Sequence, residues 1–464
     1  MRIAVALLAV ALAVAAAVFL AEHPGHVEIV WQDWQIDTSI GVLLAGAVLT
    51  FIALGLVLTA IAALLRLPRR LRAARAARRR RLGERALTRG MVALAAGDPP
   101  DALRQAHRAE QYLGEAPLVL LLSAQAAQLC RDETTARRAL TAMLEQPELA
   151  FAGLRGLLGE AVRAGDLLTA LALAERARLL RPSAAWLDEA LLALETRAGR
   201  WEAAARTLAG MARRGTVAAD RARHHRGVIL DALSRAAERG GDLRRAARLA
   251  GKAQALAPDL AAVTCRYAEL LASLGRRRAA ARAIERSWRI APHPELAGAY
   301  GALRPDEAPL ARFGRYEKLA AQKPDDPESH LTIADAALAA QLWGEARQHL
   351  GRAAGSMGAA PSRRLCLTMA RLERAEHGDS AAAREWLDKA AAAPSEPRYL
   401  CARCGGDSLQ WQALCPHCGG FDTLAWRSPQ PQSAAVGPPA VPPLAAILPA
   451  LSAPEPLGEH RAIG

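Results

Sequence analysis

Cys401, Cys404, Cys415 and Cys418 are spaced C-x2-C-x10-C-x2-C. Each C-x2-C pair can close a tight knuckle, and the ten-residue gap lets the two pairs face each other. Four thiolates in a tetrahedron suit Zn2+ at about 2.3 Å per bond. Gly405 and Gly419 follow the second cysteine of each pair, where such a turn needs an unhindered backbone. A closed four-thiolate set leaves no position for a substrate, so the metal expected here is structural rather than catalytic. Iron in the same ligand set and a pair of disulfides are the alternatives, and a cytoplasmic placement disfavours the disulfides. Trp411, Leu414, Phe421 and Trp426 are expected to form a very small core over residues 396–427, with the metal supplying most of its folding energy.

The rest of the chain offers little chemistry. Cys130, Cys265 and Cys366 stand singly on helical stretches and read as small apolar residues. His224 and His225 lie together on a basic stretch and read as solvated, and His107, His330 and His349 read as ordinary surface residues. There is no Gly-rich phosphate loop, nucleophile elbow, HExxH or paired-carboxylate signature. No catalytic and no cofactor-binding residue is assigned, and the chain is expected not to be an enzyme.

The elements around these residues follow one frame. Gly97, Arg131, Gly165 and Gly199 are each 34 residues apart, as are Gly241 and Gly275. Each is followed five residues later by alanine: Ala102, Ala136, Ala170, Ala204, Ala246 and Ala280. Gln341 with Ala346 and Gly378 with Ala383 continue the pattern, and Pro182, Pro258 and Pro292 close three of the units. A period of 34 with two helices per unit is the signature of a tetratricopeptide (TPR) solenoid. The first residue needs the positive φ of an inter-helix turn, and the alanine sits where two helices come too close for a larger side chain. A worn copy is expected over Glu295–Asp326, and a longer helix or small insertion over Arg213–Arg226, where the spacing grows to 42.

Two apolar runs precede the repeats. Ile3–Leu20 is 18 residues long, and Ile40–Leu65 is 26 residues long without a charge. Both are expected to span a membrane, the first at the lower limit of length. A signal peptide is the other reading of the first run. The linker His23–Ser39 has no Lys or Arg, whereas nine arginines crowd into Arg66–Arg81. The positive-inside rule then puts both termini and the repeats in the cytoplasm. The net charge is +14, and removing those nine charges leaves +5, so the basicity is local. Lying against the membrane without interleaved aromatics, the run suits anionic lipid headgroups or the first helix of the solenoid and argues against nucleic acid. Residues 428–464, rich in Pro, Ala and Ser, read as a disordered tail.

The expected fold is therefore all-α: a TPR-like α-solenoid over residues 82–395, two N-terminal transmembrane helices within residues 1–65, an arginine-rich juxtamembrane segment over 66–81, and a small C-terminal four-cysteine zinc knuckle. The stretches VEIVWQDWQIDTS, LLRLPRRLRAARAARRRR, RALTRGMVALAAGD and HLTIADAALAAQLWGEARQHL resemble the HemY proteins of proteobacteria. The resemblance covers roughly residues 1–395, and the four-cysteine end is similar to the version of that family with a terminal zinc knuckle. That end is also similar to the rubredoxin-like end of LapB, a membrane-anchored repeat protein that recruits a protease to regulate lipopolysaccharide synthesis. The HemY resemblance implies a multi-pass inner-membrane protein linked to haem biosynthesis, with late haem-pathway enzymes as protein partners. The flavoprotein protoporphyrinogen oxidase shares that label in some bacteria, but the GxGxxG fingerprint it needs is missing here. A LapB-like adaptor for envelope lipid synthesis and a direct haem or porphyrin carrier are the alternative readings.

Overall fold

The computed structural model describes residues 26–31, 34–357, 361–378 and 380–429, with a few isolated positions upstream. The first apolar run, Ile3–Leu20, and the tail beyond residue 429 lie outside the described residues. The chain divides into two compact units, Met1–Ala136 and Arg137–Gly464.

In the first unit, the stretch read from sequence as a linker forms a β-hairpin. Strand β1 (His26–Trp31) pairs antiparallel with β2 (Trp34–Ser39), with Ile29 opposite Ile36 and Trp31 opposite Trp34. The alternation in VEIV and QIDT suits a strand, a period-2 signal the linker reading overlooked. Ser39 ends the hairpin and caps the next helix, its side chain accepting from the Val42 amide at 3.4 Å. Helix α1 (Ile40–Ala95) then runs for 56 residues without a break. It carries the apolar run, the arginines and the first repeat helix in one rod. Ile40–Ile61 has a mean hydropathy of 2.6 and none of it is buried, which makes it long and apolar enough to cross a membrane. The far end of α1 packs on α2 (Pro99–Leu113) and α3 (Pro117–Leu129). Two glycines allow this approach: a Cβ on Gly83 would meet Leu113 at 2.4 Å, and one on Gly90 would meet Leu122 at 2.5 Å.

Helix α4 (Glu133–Met143) carries the boundary between the units. The second unit then stacks helical hairpins: α5 (Ala150–Ala164) with α6 (Leu167–Leu180), α7 (Ala185–Arg197) with α8 (Trp201–Arg214), α9 (Ala219–Arg239) with α10 (Leu243–Leu256), and α11 (Ala261–Ser273) with α12 (Arg277–Ile290). It continues through α13 (Pro294–Ala302) with α14 (Pro309–Ala320), α15 (Pro327–Ala339) with α16 (Trp343–Met357), and α17 (Arg363–His377) with α18 (Ala381–Ala392). This is the architecture of a TPR-like solenoid. All eight turn residues of the frame take positive φ, from 59° at Arg131 to 80° at Gly241. All eight frame alanines are buried, seven of them with no exposed surface. The worn copy is the hairpin α13–α14, in which tyrosines take over the packing: Tyr316 donates to the Ala297 carbonyl at 2.8 Å and its ring lies 5.9 Å from that of Tyr300. The extra residues after Gly199 lengthen α9 to 21 residues.

A three-stranded antiparallel sheet follows, ordered β4 (Asp407–Ser408), β3 (Arg398–Cys401), β5 (Leu424–Arg427). Tyr399 pairs with Ser408 on one side and with Trp426 on the other.

Candidate metal centre and its seat on the repeats

The four cysteines converge. Cys401 leaves the end of β3, Cys404 sits in the turn after it, and Cys415 and Cys418 lie in the loop before β5. The two turns repeat the same hydrogen bonds. The Gly405 amide donates to the Cys401 carbonyl at 3.0 Å and the Gly419 amide to the Cys415 carbonyl at 2.8 Å. The Cys401 amide donates to Gly406 and the Cys415 amide to Gly420, at 2.8 and 2.9 Å. Gly405 and Gly419 take φ of 70° and 64°, the left-handed values that the knuckle reading required.

All four thiols are buried, and their sulfurs lie within 4.8 Å of one another. Cys401 Sγ is 3.7 Å from Cys418 Sγ, and Cys404 Sγ is 3.8 Å from Cys415 Sγ. A tetrahedron with metal–sulfur bonds of about 2.3 Å has edges of about 3.8 Å, so the donor set fits one four-coordinate ion. Disulfides need sulfurs about 2.05 Å apart and do not match this spacing. The Arg403 amide points at Cys401 Sγ from 3.4 Å, and Thr423 Oγ1 lies 3.2 Å from it, contacts behind the ligand that favour a thiolate. Burial pushes the Cys404 thiol up to about 12, so an ion is what would hold this set deprotonated.

The element does not form the free-standing core expected from its aromatics. Trp411 is buried beside the cysteines, but Phe421 and Trp426 turn outward onto the repeats. The cluster around the cysteines includes Val228 and Val263 of the solenoid, with Leu230 and Leu260 packed against it. The seat is made by four successive first helices of the hairpins. Beside α7, Arg197 lies at Gly419, where an added Cβ would meet its Nε at 3.0 Å. On α9, His224 and His225 face Asp422 Oδ2 at 3.3 and 3.4 Å. From α11 come Val263 and Ala262. At α13, the Tyr399 hydroxyl donates to Glu295 at 2.9 Å and the His293 ring lies 4.6 Å from Trp426. The long α9 brings its histidine pair to this loop.

This corrects the reading of His224 and His225 as solvated. The hydrogen bond to Asp422 holds His224 above the ordinary imidazole range, whereas burial pushes His225 below it. Of the two, His224 is the more exposed and the one whose pairing with Asp422 favours the protonated form. His293 is buried and held down to about 4, with its Nδ1 accepting from the Glu295 amide at 3.2 Å. Burial raises Glu295 and Tyr399 above their usual ranges. No sequence spacing signals this seat, because its partners are 104 residues apart or more in the chain.

The other singled-out residues separate. Cys366 is fully buried, as expected of a small apolar residue, while Cys130 and Cys265 are half-buried. His107 is exposed on α2. His330 and His349 come together from α15 and α16, Nδ1 to Nδ1 at 3.1 Å, beside a cavity of about 340 Å³. The expectation of two separate surface residues is corrected: the turn between α15 and α16 brings residues 19 apart in the chain side by side.

Residues 25–131 match the family described as HemY protein N-terminus. Over 446 residues the chain is 28% identical to the probable magnetosome protein Mms48 of Magnetospirillum gryphiswaldense, covering 95% of this chain and 96% of that protein. Solved repeat proteins align more loosely. The structure of Naa15/Naa10 bound to HypK-THB aligns at a TM-score of 0.39 and 16% identity, covering 67% of this chain and 58% of that one. A tetratricopeptide repeat protein from Parabacteroides merdae aligns at 0.26 and 14% identity, covering 52% of this chain and 93% of its own. These TM-scores are too low to bear on function.

Proposed function

We propose that this protein, which carries a HemY N-terminal domain at residues 25–131, is a membrane-anchored scaffold whose repeats bind enzymes of haem (tetrapyrrole) biosynthesis. The observation that carries the reading is that match. It spans the apolar helix, the arginines and the first repeat hairpin, the part that would set a partner-binding array beside a membrane. Ile40–Ile61 would cross the bacterial inner membrane and Ile3–Leu20 would cross it back. Arg66–Arg81 would then lie against anionic headgroups on the cytoplasmic side, each arginine near the surface contributing about 1 kcal/mol. Tethering turns a second encounter into a nearly intramolecular one, at an effective concentration on the order of mM. Haem intermediates are apolar and photoreactive, so transfer between enzymes held beside the membrane suits them. The scaffold acts by binding, not by catalysis.

Cys401, Cys404, Cys415 and Cys418 hold a structural Zn2+ in this reading. Iron fits the same set and would show itself by colour, since Zn2+ has none. In a strain lacking the protein, the scaffold predicts lowered haem with accumulated porphyrin precursors, restored by the full chain. Normal haem content in that strain would contradict it. A second reading, an adaptor for envelope lipid synthesis as in LapB, draws on the cysteine element packed against repeats, and it predicts altered lipopolysaccharide with normal haem. A direct haem carrier draws on the His330–His349 pair, and it predicts a Soret shift on adding haem that His330→Ala abolishes.

A further inference from the structure

The first-helix face of a stacked-hairpin array is the surface such a protein offers to a peptide, and in this chain its middle is filled by the chain itself. The tip that fills it is Phe421–Asp422. The Phe421 ring lies 5.2 Å from His225 and 6.5 Å from Trp201. The Asp422 side chain is 8% exposed, aimed between two histidines, and its backbone holds a φ of 52°. The fit is incomplete. A cavity of about 390 Å³ remains between the element and α11, bounded by Leu260, His293, Tyr399 and Trp426. His225 Nδ1 and His293 Nε2 are buried without a hydrogen-bond partner. The seated tip thus leaves room beside it and two imidazole nitrogens open to a second segment.

We infer that this face is a receptor for an aromatic–acidic turn, that Phe421–Asp422 is its resident occupant, and that a protein segment presenting the same aromatic-then-carboxylate pair competes for the seat. The inference rests on the scaffold reading and names the chemistry of the partner segment. The ion in the cysteine set would control the competition. The two knuckle turns fix the path from Cys418 to Leu424, and without an ion four buried thiols have no reason to converge, so the tip loses the geometry that seats it.

The test uses the full chain in detergent micelles and, as probe, a fluorescent peptide of Gly419–Trp426 cyclised head to tail, so that the turn is held without an ion. Three forms are compared: the zinc-loaded wild type, Cys415→Ser, which breaks the ligand set, and Asp422→Arg, which keeps the ligands and removes the carboxylate. Both variants are expected to bind the probe at least ~10-fold more tightly than the wild type, whose own tip occupies the seat at high effective concentration. Probes carrying Phe421→Ala or Asp422→Asn are expected to lose that binding. Hydrogen exchange of Ala219–Arg239 should rise in both variants and fall again when the probe is added. No probe binding to any form, equal binding to all three, or unchanged protection of that helix in both variants would overturn the inference. Such a failure, with haem-pathway enzymes still recovered on the wild-type chain, removes the competing tip and leaves the scaffold. Seat competition without such enzymes removes the scaffold's assigned partners instead.

Discussion

Gln341 and Arg131 do in this fold what glycine does at the other frame turns. Both sit at φ near 60°, where a Cβ crowds the following carbonyl at a cost of about 1–2 kcal/mol. Gln341→Gly is therefore expected to raise stability by ~0.5–1 kcal/mol, the relief being partly offset by a more flexible unfolded chain. Urea unfolding midpoints would check it. The frame alanines make the opposite prediction. Ala174, four residues after Ala170 on the same buried face, has no exposed surface, so Ala174→Leu should cost ~1–3 kcal/mol in the same assay. At this scale the repeat frame was readable, whereas the histidines were not: His224 and His225 meet Asp422, and His330 meets His349, only in the fold. A turn residue and a close-packed alanine each have one local cause, and the period of 34 repeats that cause until chance is excluded.

At the scale of the element, His293 couples the cysteine element to acidity. It caps α13 and stacks near Tyr399 and Trp426, with Glu295 beside it, and burial holds it neutral to about pH 4. Its folded value lies below the unfolded one of 6.5, so its contribution is present above pH 6.5 and is lost as pH falls toward 4. The loss amounts to about 3 kcal/mol over that interval. His224 works in the opposite sense: its folded value is raised, so the ion pair with Asp422 fades as pH rises through that value. His293→Asn keeps a capping side chain and removes the titration, so unfolding midpoints at pH 6.5 and pH 5 should differ less than in the wild type. An equal pH dependence would contradict the assignment. Metal removal acts on the same element. Chelation, or Cys401→Ser, is expected to open residues 396–427 to protease while the helices keep their far-ultraviolet dichroism; cleavage unchanged by chelation would argue against an ion. The convergence of the four cysteines was legible because cysteines at that spacing have few other uses. The seat was not, because Asp422 meets His224 and His225 only after four hairpins have stacked to the right curvature. The aromatics misled for the same reason: Phe421 and Trp426 look like a core of their own until the face that receives them exists.

At the scale of the whole molecule, one helix of the first unit carries the apolar run, the arginines and the first repeat helix. Helix α1 runs from Ile40 to Ala95, so the arginine run is a helical segment rather than a hinge. Roughly its last four turns belong to the first repeat, where Gly83 is pressed against Leu113 and Gly90 against Leu122. Gly90→Leu is expected to disturb packing in the first unit without releasing the chain from membranes, whereas removing both apolar runs, Ile3–Leu20 and Ile40–Ile61, should release it; alkaline extraction of membranes separates the two outcomes. The apolar helix Ile40–Ile61 could be read from composition, since twenty-odd apolar residues have a direct meaning in a bilayer. Partner identity is not written in that way, because a face of stacked helices is specified by side chains gathered from distant repeats. The measurement that reaches the central claim most directly is affinity purification of the full-length chain from detergent-solubilised membranes, read by mass spectrometry. The scaffold predicts enrichment of ferrochelatase or other late tetrapyrrole enzymes over a control membrane protein. Recovery of a membrane protease or lipid A enzymes in their place would contradict it and move the protein to envelope regulation.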